Sequence, residues 1–433
     1  MLSFEENEFL SRVGPGTPMG ELMRRFWQPI LLSDEVPDRD GPPVRVRLLG
    51  EDLVAFRDSN GGVGMIDAFC PHRRAGLFFG RNEEQGLRCV YHGWKFDVSG
   101  ACVDMPSEPV ESNFKDKVKI RAYPTVEAGD CIFVYMGPPE VQPPFPHLEW
   151  TRVPSANRLV MRWIQDSNYM QTIEGDLDTS HVSFLHRWFD PNNRPRVVGR
   201  RIKNGKDMTV IDGSPKLIVK ETDYGFIYGS RRDIGDGEYY WRCTQFILPA
   251  YNLIPSPLFP TTGHAWIPID DDHTSVFSFT YDPYEPISDE QRELRRKTTM
   301  DMERVRHKTM DGQIIDGWHD VRRMQNDFLI DRDMQRTFNY TGIPVGRSQD
   351  EAMTDSMGRI VDRTQEHLGT SDTAIIFARR QLLRMARELQ EGVEPAAVRD
   401  APSFNVRAVD VVNTISDFKE LMVTDGHVAK GTV

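Results

Sequence analysis

The chain has 433 residues, which is enough for two or three domains and a large buried core. Its residues are 39% apolar and 27% charged, and none of its apolar runs reaches the ~18 residues of a membrane span, so composition argues against membrane-spanning and disordered proteins. With 53 Lys and Arg against 65 Asp and Glu, the net charge is −12 and no basic stripe stands out, which disfavours a polyanionic partner. The acidic first residues are unlike a signal peptide, so we expect a cytoplasmic protein.

The N-terminal third of the sequence predicts a small antiparallel β domain. Apolar residues near helical spacing, interrupted at Gly14-Pro15-Gly16, indicate a helix at the start. Strand patterns then dominate from Val44 to about residue 137, with clear examples at 44–48, 53–57 and 131–136. This pattern is typical of an all-β domain.

Five prolines between residues 138 and 146 predict a domain boundary, because such a stretch forms neither a helix interior nor a central strand. We therefore expect domains at 1–140 and 141–433. In the second domain the patterns predict helix at 166–188, a solvated charged helix at 287–310, a last helix with Ser371 as its N-cap, and strands at 216–221, 225–229, 239–248 and 275–281. Runs of strands and then of helices favour an α+β fold, with the last helix packed on the sheet.

Two short segments predict a first metal site. Cys70-Pro71-His72 and Cys89-Val90-Tyr91-His92 each offer one thiolate and one imidazole. Such a set binds either one tetrahedral zinc or a two-iron, two-sulfur cluster in which one iron takes both Cys and the other both His. Spacing alone leaves both open. The flanking Gly93 and Trp94 favour the cluster, because they suit a tight, shielded loop.

These residues closely resemble the Rieske signature, Cys-x-His followed by Cys-x-x-His-Gly-Trp. The resemblance implies a Rieske 2Fe–2S cluster bound by Cys70, His72, Cys89 and His92. The other three cysteines, Cys102, Cys131 and Cys243, are expected to be small core residues.

A second metal site is indicated by Asp178-x-x-His181-x-x-x-x-His186. Two imidazoles with one carboxylate from elsewhere form the facial triad of non-haem Fe(II) oxygenases, although this motif alone is a weak signal. Positions five apart on an ideal α-helix differ in direction by about 140°. We therefore predict a distorted helix through Val182 to Leu185.

The two motifs together resemble the large subunit of Rieske non-haem iron ring-hydroxylating oxygenases, most closely the phthalate dioxygenase branch. The resemblance implies an antiparallel sheet of helix-grip type in the second domain and a mononuclear Fe(II) bound by His181 and His186. A late Gln-Asp segment implies Asp350 as the third ligand, with Asp355 and Glu351 as alternatives. Asp178 would bridge the two centres, between His92 of one subunit and His181 of another.

The same resemblance sets the expected partners. The sequence shows no convincing nucleotide-binding fingerprint, so electrons are expected from a separate NADH-dependent reductase that carries flavin and a plant-type iron–sulfur centre. Electron transfer between subunits implies a ring of three chains, or two stacked rings of three.

The expected reaction is the addition of O₂ across a ring bond of a phthalate-like aromatic carboxylate to give a cis-dihydrodiol. Arg242, on a strand rich in aromatic residues, is the predicted carboxylate anchor, and Asn168 is expected to line the pocket by resemblance. The alternative is monooxygenation, such as O-demethylation, at the same iron. A hypothesis of a different class, an electron carrier or a zinc-structured binding protein, predicts no mononuclear iron.

Overall fold

The structure is a computed structural model that describes residues 2–190, 201–257, 259–309 and 312–424. The α-helices in these ranges are α1 Phe4–Ser11, α2 Pro18–Met23, α3 Glu149–Arg152, α4 Tyr169–Leu177, α5 Met208–Ile211, α6 Asp289–Thr299, α7 Arg332–Thr337, α8 Gly346–Ser356, α9 Thr373–Gln390 and α10 Phe418–Thr424. Among the described residues, no helix is both long and apolar enough to cross a membrane.

The strands belong to two groups separated by the proline-rich segment. Those before it are β1 Gln28–Leu32, β2 Val44–Leu48, β3 Glu51–Arg57, β4 Val63–Asp67, β5 Arg81–Glu83, β6 Gly86–Arg88, β7 Lys95–Phe96, β8 Cys102–Asp104, β9 Thr125–Ala128 and β10 Cys131–Val134. They form three small antiparallel sheets, in the orders β1-β10-β9, β2-β3-β4 and β5-β6-β7-β8. The all-β prediction for this region is confirmed.

The second group is dominated by one large antiparallel sheet. Its strands, with those of two short hairpins, are β11 Arg158–Gln165, β12 Ile202–Lys203, β13 Lys206–Asp207, β14 Lys216–Thr222, β15 Gly225–Asp233, β16 Tyr239–Ile247, β17 Tyr251–Ile254, β18 Thr261–Pro268, β19 Thr274–Tyr281, β20 Met302–Lys308, β21 Ile314–Asp320 and β22 Val409–Asn413. The large sheet has the order β11-β19-β18-β17-β16-β15-β14, and β22 pairs with β16.

Helix α9 packs on this sheet, as the sequence predicted. Phe377 of α9 meets Phe226 of β15 edge to face, with ring centroids 5.1 Å apart, and Gln381 donates to the carbonyl of Gly225 at 3.1 Å. The α+β class is therefore confirmed.

Three local predictions differ from the structure. Of the helix predicted at 166–188, only Tyr169–Leu177 is α-helical. The charged segment 287–310 is not one helix: α6 ends at Thr299, and Met302–Lys308 is a strand that pairs with β21. This pairing is a tertiary contact, which composition does not reveal. Ser371 is not the N-cap of the helix predicted after it, α9, because it lies inside a 3₁₀ turn, Thr370–Asp372, and Asp372 is at the N-cap position.

The buried apolar residues form two main cores. The larger one joins the N-terminal helices, the β1-β10-β9 sheet and the large sheet, and includes Leu22, Phe133 and Phe279. A smaller core packs around Phe56 and Phe96. Its residues come from strands β3, β4, β6, β7 and β8 and from the loops next to them. The boundary at residue 140 stays a prediction, and α1 packs on the second half, where the Tyr169 hydroxyl donates to the Leu10 carbonyl at 2.8 Å.

Candidate active site

The two predicted cluster loops have matching backbone hydrogen bonds. The amide of Cys70 donates to the Ala75 carbonyl at 2.9 Å, and the amide of Arg74 donates to the Cys70 carbonyl at 2.8 Å. In the other loop, Cys89 donates to the Trp94 carbonyl at 2.8 Å and Gly93 donates to the Cys89 carbonyl at 2.9 Å. The fourth residue after each Cys has positive φ, 59° at Arg74 and 80° at Gly93. Each loop therefore turns tightly enough to present its Cys and His side by side.

The side chains of these loops offer nitrogen and sulfur atoms that could bind a metal cluster. His72 and His92 lie with ring centroids 4.5 Å apart, and the His72 ring stacks on Trp94 at 4.4 Å. Nδ1 of His72 is buried and has no hydrogen-bond partner among the described residues, which is costly unless a further group satisfies it. Burial, with the Cys89 thiol close by, raises the pKa of Cys70 to about 11. Two crowded thiols and an unsatisfied imidazole nitrogen fit the Cys₂His₂ set of a 2Fe–2S cluster.

The tip of the second loop faces outward. Val90 and Tyr91 are 58% and 55% exposed. Cys102, Cys131 and Cys243 are buried, as the sequence predicted for core thiols.

The second predicted motif begins where α4 ends. Helix α4 stops at Leu177, and Asp178 follows in an extended conformation. One carboxylate oxygen of Asp178 accepts from the amides of Ser180 at 2.7 Å and His181 at 3.3 Å, and a 3₁₀ turn, His181–Ser183, follows. The predicted distortion between the two histidines is confirmed, because this turn replaces a regular α-helix.

The turn brings His181 and His186 to Asp350 of α8. Nε2 of His186 lies 3.1 Å and Nε2 of His181 lies 3.6 Å from Oδ1 of Asp350. One ligand atom from each residue lies within 4.8 Å of the others, so the three are placed to hold one metal ion. The other oxygen of Asp178 lies 3.8 Å from Nδ1 of His181, which is close but longer than a hydrogen bond.

The histidines are prepared for metal binding by their surroundings. The amide nitrogen of Gln349 donates to the Ile343 carbonyl at 2.7 Å, so its oxygen faces Nδ1 of His186 at 2.7 Å. That oxygen accepts only from a protonated Nδ1, which leaves the lone pair on Nε2 of His186 toward Asp350. Burial lowers the pKa of His181, so this ring is also neutral near pH 7.

Three carboxylates of α8 have different surroundings. Although burial opposes ionisation of Asp350, its neighbours His186 and Arg347 hold its pKa well below the ordinary value. Glu351 accepts from the indole of Trp163 at 2.7 Å, and Asp355 accepts from the amide of Gln165 at 3.1 Å. The two alternatives to Asp350 therefore bond to strand β11, away from the histidines.

A cavity of about 360 Å³ opens beside the His181–His186–Asp350 group. Its wall includes the cation of Arg242, whose Nε is buried without a hydrogen-bond partner among the described residues. Asn168 lies outside this wall, which corrects the expectation that it lines the pocket. Its side chain caps α4 by accepting from the Met170 amide at 3.1 Å, and it donates to the carbonyls of Ser11 and Asp271.

Sequence reasoning missed several residues of the cavity. Arg295 is one, since its charged helix was expected to be solvated; its Nε is also buried without a partner in the described structure. His264 is another: its Nδ1 lies 2.7 Å from Asp176, which also accepts from the Trp266 indole at 3.0 Å. Only Gln349 had a signal in the sequence, because it directly precedes Asp350.

Comparisons with known proteins agree with this geometry. A family model described as the Rieske [2Fe-2S] domain matches residues 26–124, and one described as LigXa C-terminal domain like matches residues 134–431. The 3-chlorobenzoate-3,4-dioxygenase oxygenase subunit of Comamonas testosteroni is 38% identical over 92% of each chain. The phthalate 4,5-dioxygenase oxygenase subunit of Pseudomonas putida is 39% identical over 90% of this chain and 88% of its own.

The chain therefore belongs to the Rieske non-haem iron ring-hydroxylating oxygenases, whose members carry a 2Fe–2S cluster and a mononuclear iron. Within this class it is a large subunit of the phthalate dioxygenase-like branch, and thus an oxidoreductase. A solved structure of dicamba monooxygenase shares the fold, with a TM-score of 0.54, 16% identity, and coverage of 86% of this chain and 99% of that one.

Proposed function

We propose that the protein is the oxygenase component of a dioxygenase that adds both atoms of O₂ to the ring of a phthalate-like aromatic carboxylate, giving a cis-dihydrodiol. The observation that carries this proposal is that one cavity is lined by both the His181–His186–Asp350 group and the Arg242 guanidinium. Its volume of about 360 Å³ lies at the lower end of the usual range for small-molecule sites, which suits a single-ring substrate. The two 38–39% identical relatives are named for phthalate and chlorobenzoate dioxygenases.

Two imidazoles and one carboxylate would hold the mononuclear iron in this cavity. When bound, this iron supplies O₂ activation, with electrons from the Rieske cluster. His181, His186 and Asp350 would hold it at the wall of the cavity. Gln349 fixes the tautomer of His186, so the lone pair on Nε2 would be available to the metal.

Arg242 is positioned to orient the substrate. Its planar guanidinium matches a carboxylate bidentately. The cavity wall also includes apolar side chains suited to an aromatic ring, namely Val182, Ile254 and Val345. An anchored carboxylate beside an apolar wall fixes which ring edge faces the metal ligands.

Asp178 would connect the two redox centres across a subunit boundary. Its carboxylate is 29% exposed and already lies near Nδ1 of His181. The outward-facing loop of His92 is surrounded by exposed Val90 and Tyr91, as expected for a surface that meets a neighbouring chain. In a ring of three chains, or two stacked rings, Asp178 accepts hydrogen bonds from His92 of one subunit and His181 of the next.

The electrons would come from a separate reductase with flavin and an iron–sulfur centre, oxidising NADH. Cys70, His72, Cys89 and His92 would hold the cluster that receives them one at a time. The cytoplasmic location expected from the sequence remains part of this proposal.

A single turnover tests the proposed reaction without the reductase. The protein is first loaded with Fe(II), and its cluster is reduced chemically. It is then mixed with O₂ and a panel of aromatic carboxylates, and the masses of the products are measured by mass spectrometry. A gain of two oxygens and two hydrogens is expected. A gain of one oxygen, or loss of a methyl group as formaldehyde, would instead establish the monooxygenase alternative, to which the 33% identical dehydrodivanillate O-demethylase subunit of Sphingobium belongs by name.

The role of Arg242 is tested in the same assay. Arg242→Gln should raise the carboxylate concentration that gives half-maximal product about 10–100-fold, as expected for a lost charged hydrogen bond. The half-maximal concentration of the matching carboxamide should change little. Arg336→Gln is the control, because that side chain is 75% exposed. Equal losses on acid and amide would contradict carboxylate anchoring by Arg242.

A further inference from the structure

A second group of histidines and carboxylates lies outside the cavity just described. Asp166 follows strand β11, His273 lies in the turn between β18 and β19, and His307 lies on β20. One ligand atom from each lies within 4.8 Å of the others, and the Nε2 atoms of the two histidines are 3.4 Å apart. None of the three lines the active-site cavity. Two imidazoles and one carboxylate thus converge a second time in the same chain.

His273 is oriented as a metal-binding histidine would be. Its Nδ1 lies 2.8 Å from a carboxylate oxygen of Asp270, and Asp270 is held by Arg47 of β2 at 3.2 Å. A histidine that donates Nδ1–H to a carboxylate presents its other nitrogen as a lone pair, which is the arrangement found behind metal ligands. That nitrogen of His273 faces Nε2 of His307.

Two polar atoms beside the group lack partners. Oδ1 of Asp166 and Nε2 of His319 are buried and have no hydrogen-bond partner among the described residues. Nδ1 of His319 is 4.0 Å from Asp166, too far for a hydrogen bond. A buried carboxylate oxygen without a partner is costly, and a cation beside it would remove this cost.

A positive group already stands at this position. Nη1 of Arg359 lies 2.7 Å from Nε2 of His273, and Nη2 lies 3.6 Å from Asp166. The Arg359 side chain is 47% exposed, so it can turn to solvent without unfolding its surroundings. The guanidinium therefore occupies the side of His273 that a bound ion needs, and it competes with that ion for the same lone pair.

We propose that Asp166, His273 and His307 form a second divalent-metal site, distinct from the catalytic iron site, and that Arg359 is displaced when the metal binds. Two histidines and a carboxylate suit Zn²⁺, which prefers few, tetrahedral ligands. The site links three segments of the catalytic half, and through Asp270 and Arg47 it is coupled to strand β2. Its role is structural: bound zinc fastens the sheet of the cluster-bearing half to the catalytic half.

Zinc content tests the proposal directly. The double variant His181→Ala/Asp350→Ala removes the catalytic metal site and keeps the cluster, so it serves as the background. This protein is incubated with ZnCl₂ and passed through a desalting column, and its zinc content is measured by elemental mass spectrometry. One zinc per chain is expected. Adding His307→Gln should remove it, whereas adding His367→Gln, at an exposed position, should leave it unchanged. No zinc in the background protein, or equal zinc after His307→Gln, would overturn the site.

Two further variants distinguish a metal site from a purely structural cluster. Zinc affinity is measured by competition with a chromophoric chelator in the same background. Asp270→Asn should weaken binding about 10–100-fold, as is usual for the partner behind a ligand histidine. Arg359→Gln should tighten binding, because it removes the competing cation. Unchanged or weaker affinity after Arg359→Gln would contradict its displacement by the metal.

Discussion

The two proposed cluster loops and the proposed triad, His181, His186 and Asp350, are assembled in opposite ways. Both loops lie between residues 70 and 94, and each repeats the same pair of backbone hydrogen bonds around its Cys. The triad joins a 3₁₀ turn after α4 to a helix more than 160 positions later, and its geometry depends on how α8 packs. A site made of local loops is encoded by short-range sequence, whereas a site made of distant elements depends on the whole fold.

The largest expected effects test whether the two centres are independent. Asp350→Ala removes a direct ligand, so it should weaken Fe(II) binding by more than the ~10–100-fold typical of residues that only hydrogen-bond to a ligand. Product formation should fall to the background level. The Asp350→Ala variant should keep the visible absorption of the cluster. Cys89→Ser should do the reverse, losing the cluster absorption while the triad keeps its iron. Loss of both centres in either variant would show that the two sites fold as one unit.

A smaller but still severe effect is expected where the two regions meet. Asp178→Asn should keep the fold and both metals, yet slow electron transfer from the cluster by about 10²-fold or more. A carboxylate can accept a hydrogen bond from each of the two histidines, whereas the Asn amide would turn its NH₂ donor toward the N–H of one of them. Stopped-flow absorbance of the reduced cluster, mixed with substrate and O₂, measures this rate. Asp223→Asn, at an exposed turn, is the control. An unchanged rate would remove Asp178 from the electron path.

The local design of the cluster loops is tested at Gly93. A Cβ at this position would lie 2.6 Å from Cγ of Pro106, at a φ of 80°. Gly93→Ala should therefore lower the free energy of unfolding by about 1–3 kcal/mol and speed loss of the cluster. Gly235→Ala shares the φ of 80° but meets nothing within 4 Å, so it isolates the steric part. Equal melting temperatures for the two variants would contradict a close approach at Gly93.

The smallest effect separates the carboxylates of α8 by pH. Burial raises the pKa of Asp355 to about 6. Between about pH 4 and 6 the folded protein keeps a proton that the unfolded chain releases, so this group reduces stability as pH rises through that window. Asp355→Asn should thus gain melting temperature relative to the parent from pH 4 to pH 7, equivalent to about 1–3 kcal/mol. The variant should also keep the iron bound by His181, His186 and Asp350. A difference in melting temperature between variant and parent that does not vary with pH would contradict the raised pKa.

The contrast between local and distant sites explains what the sequence could predict. The proposed cluster ligands could be predicted because each Cys and His pair lies within four residues, and the break before His186 followed from helix geometry alone. Arg295 was hidden, because a charged helix has the same composition whether or not one face borders a cavity. Asn168 was misassigned because an N-cap that also bonds Ser11 and Asp271 depends on tertiary contacts.

The separation of the two cores has a practical consequence for handling the protein. The core around Phe56 and Phe96 is built from buried residues between positions 54 and 120, while the larger core takes a few residues from the same strands, such as Leu53 and Met65, and most of its residues from the rest of the chain. Oxidative damage to the cluster should therefore bleach a preparation without precipitating it. An inactive stock should be a clear, colourless, still largely folded protein, and its colour rather than its turbidity should report how much active enzyme is left.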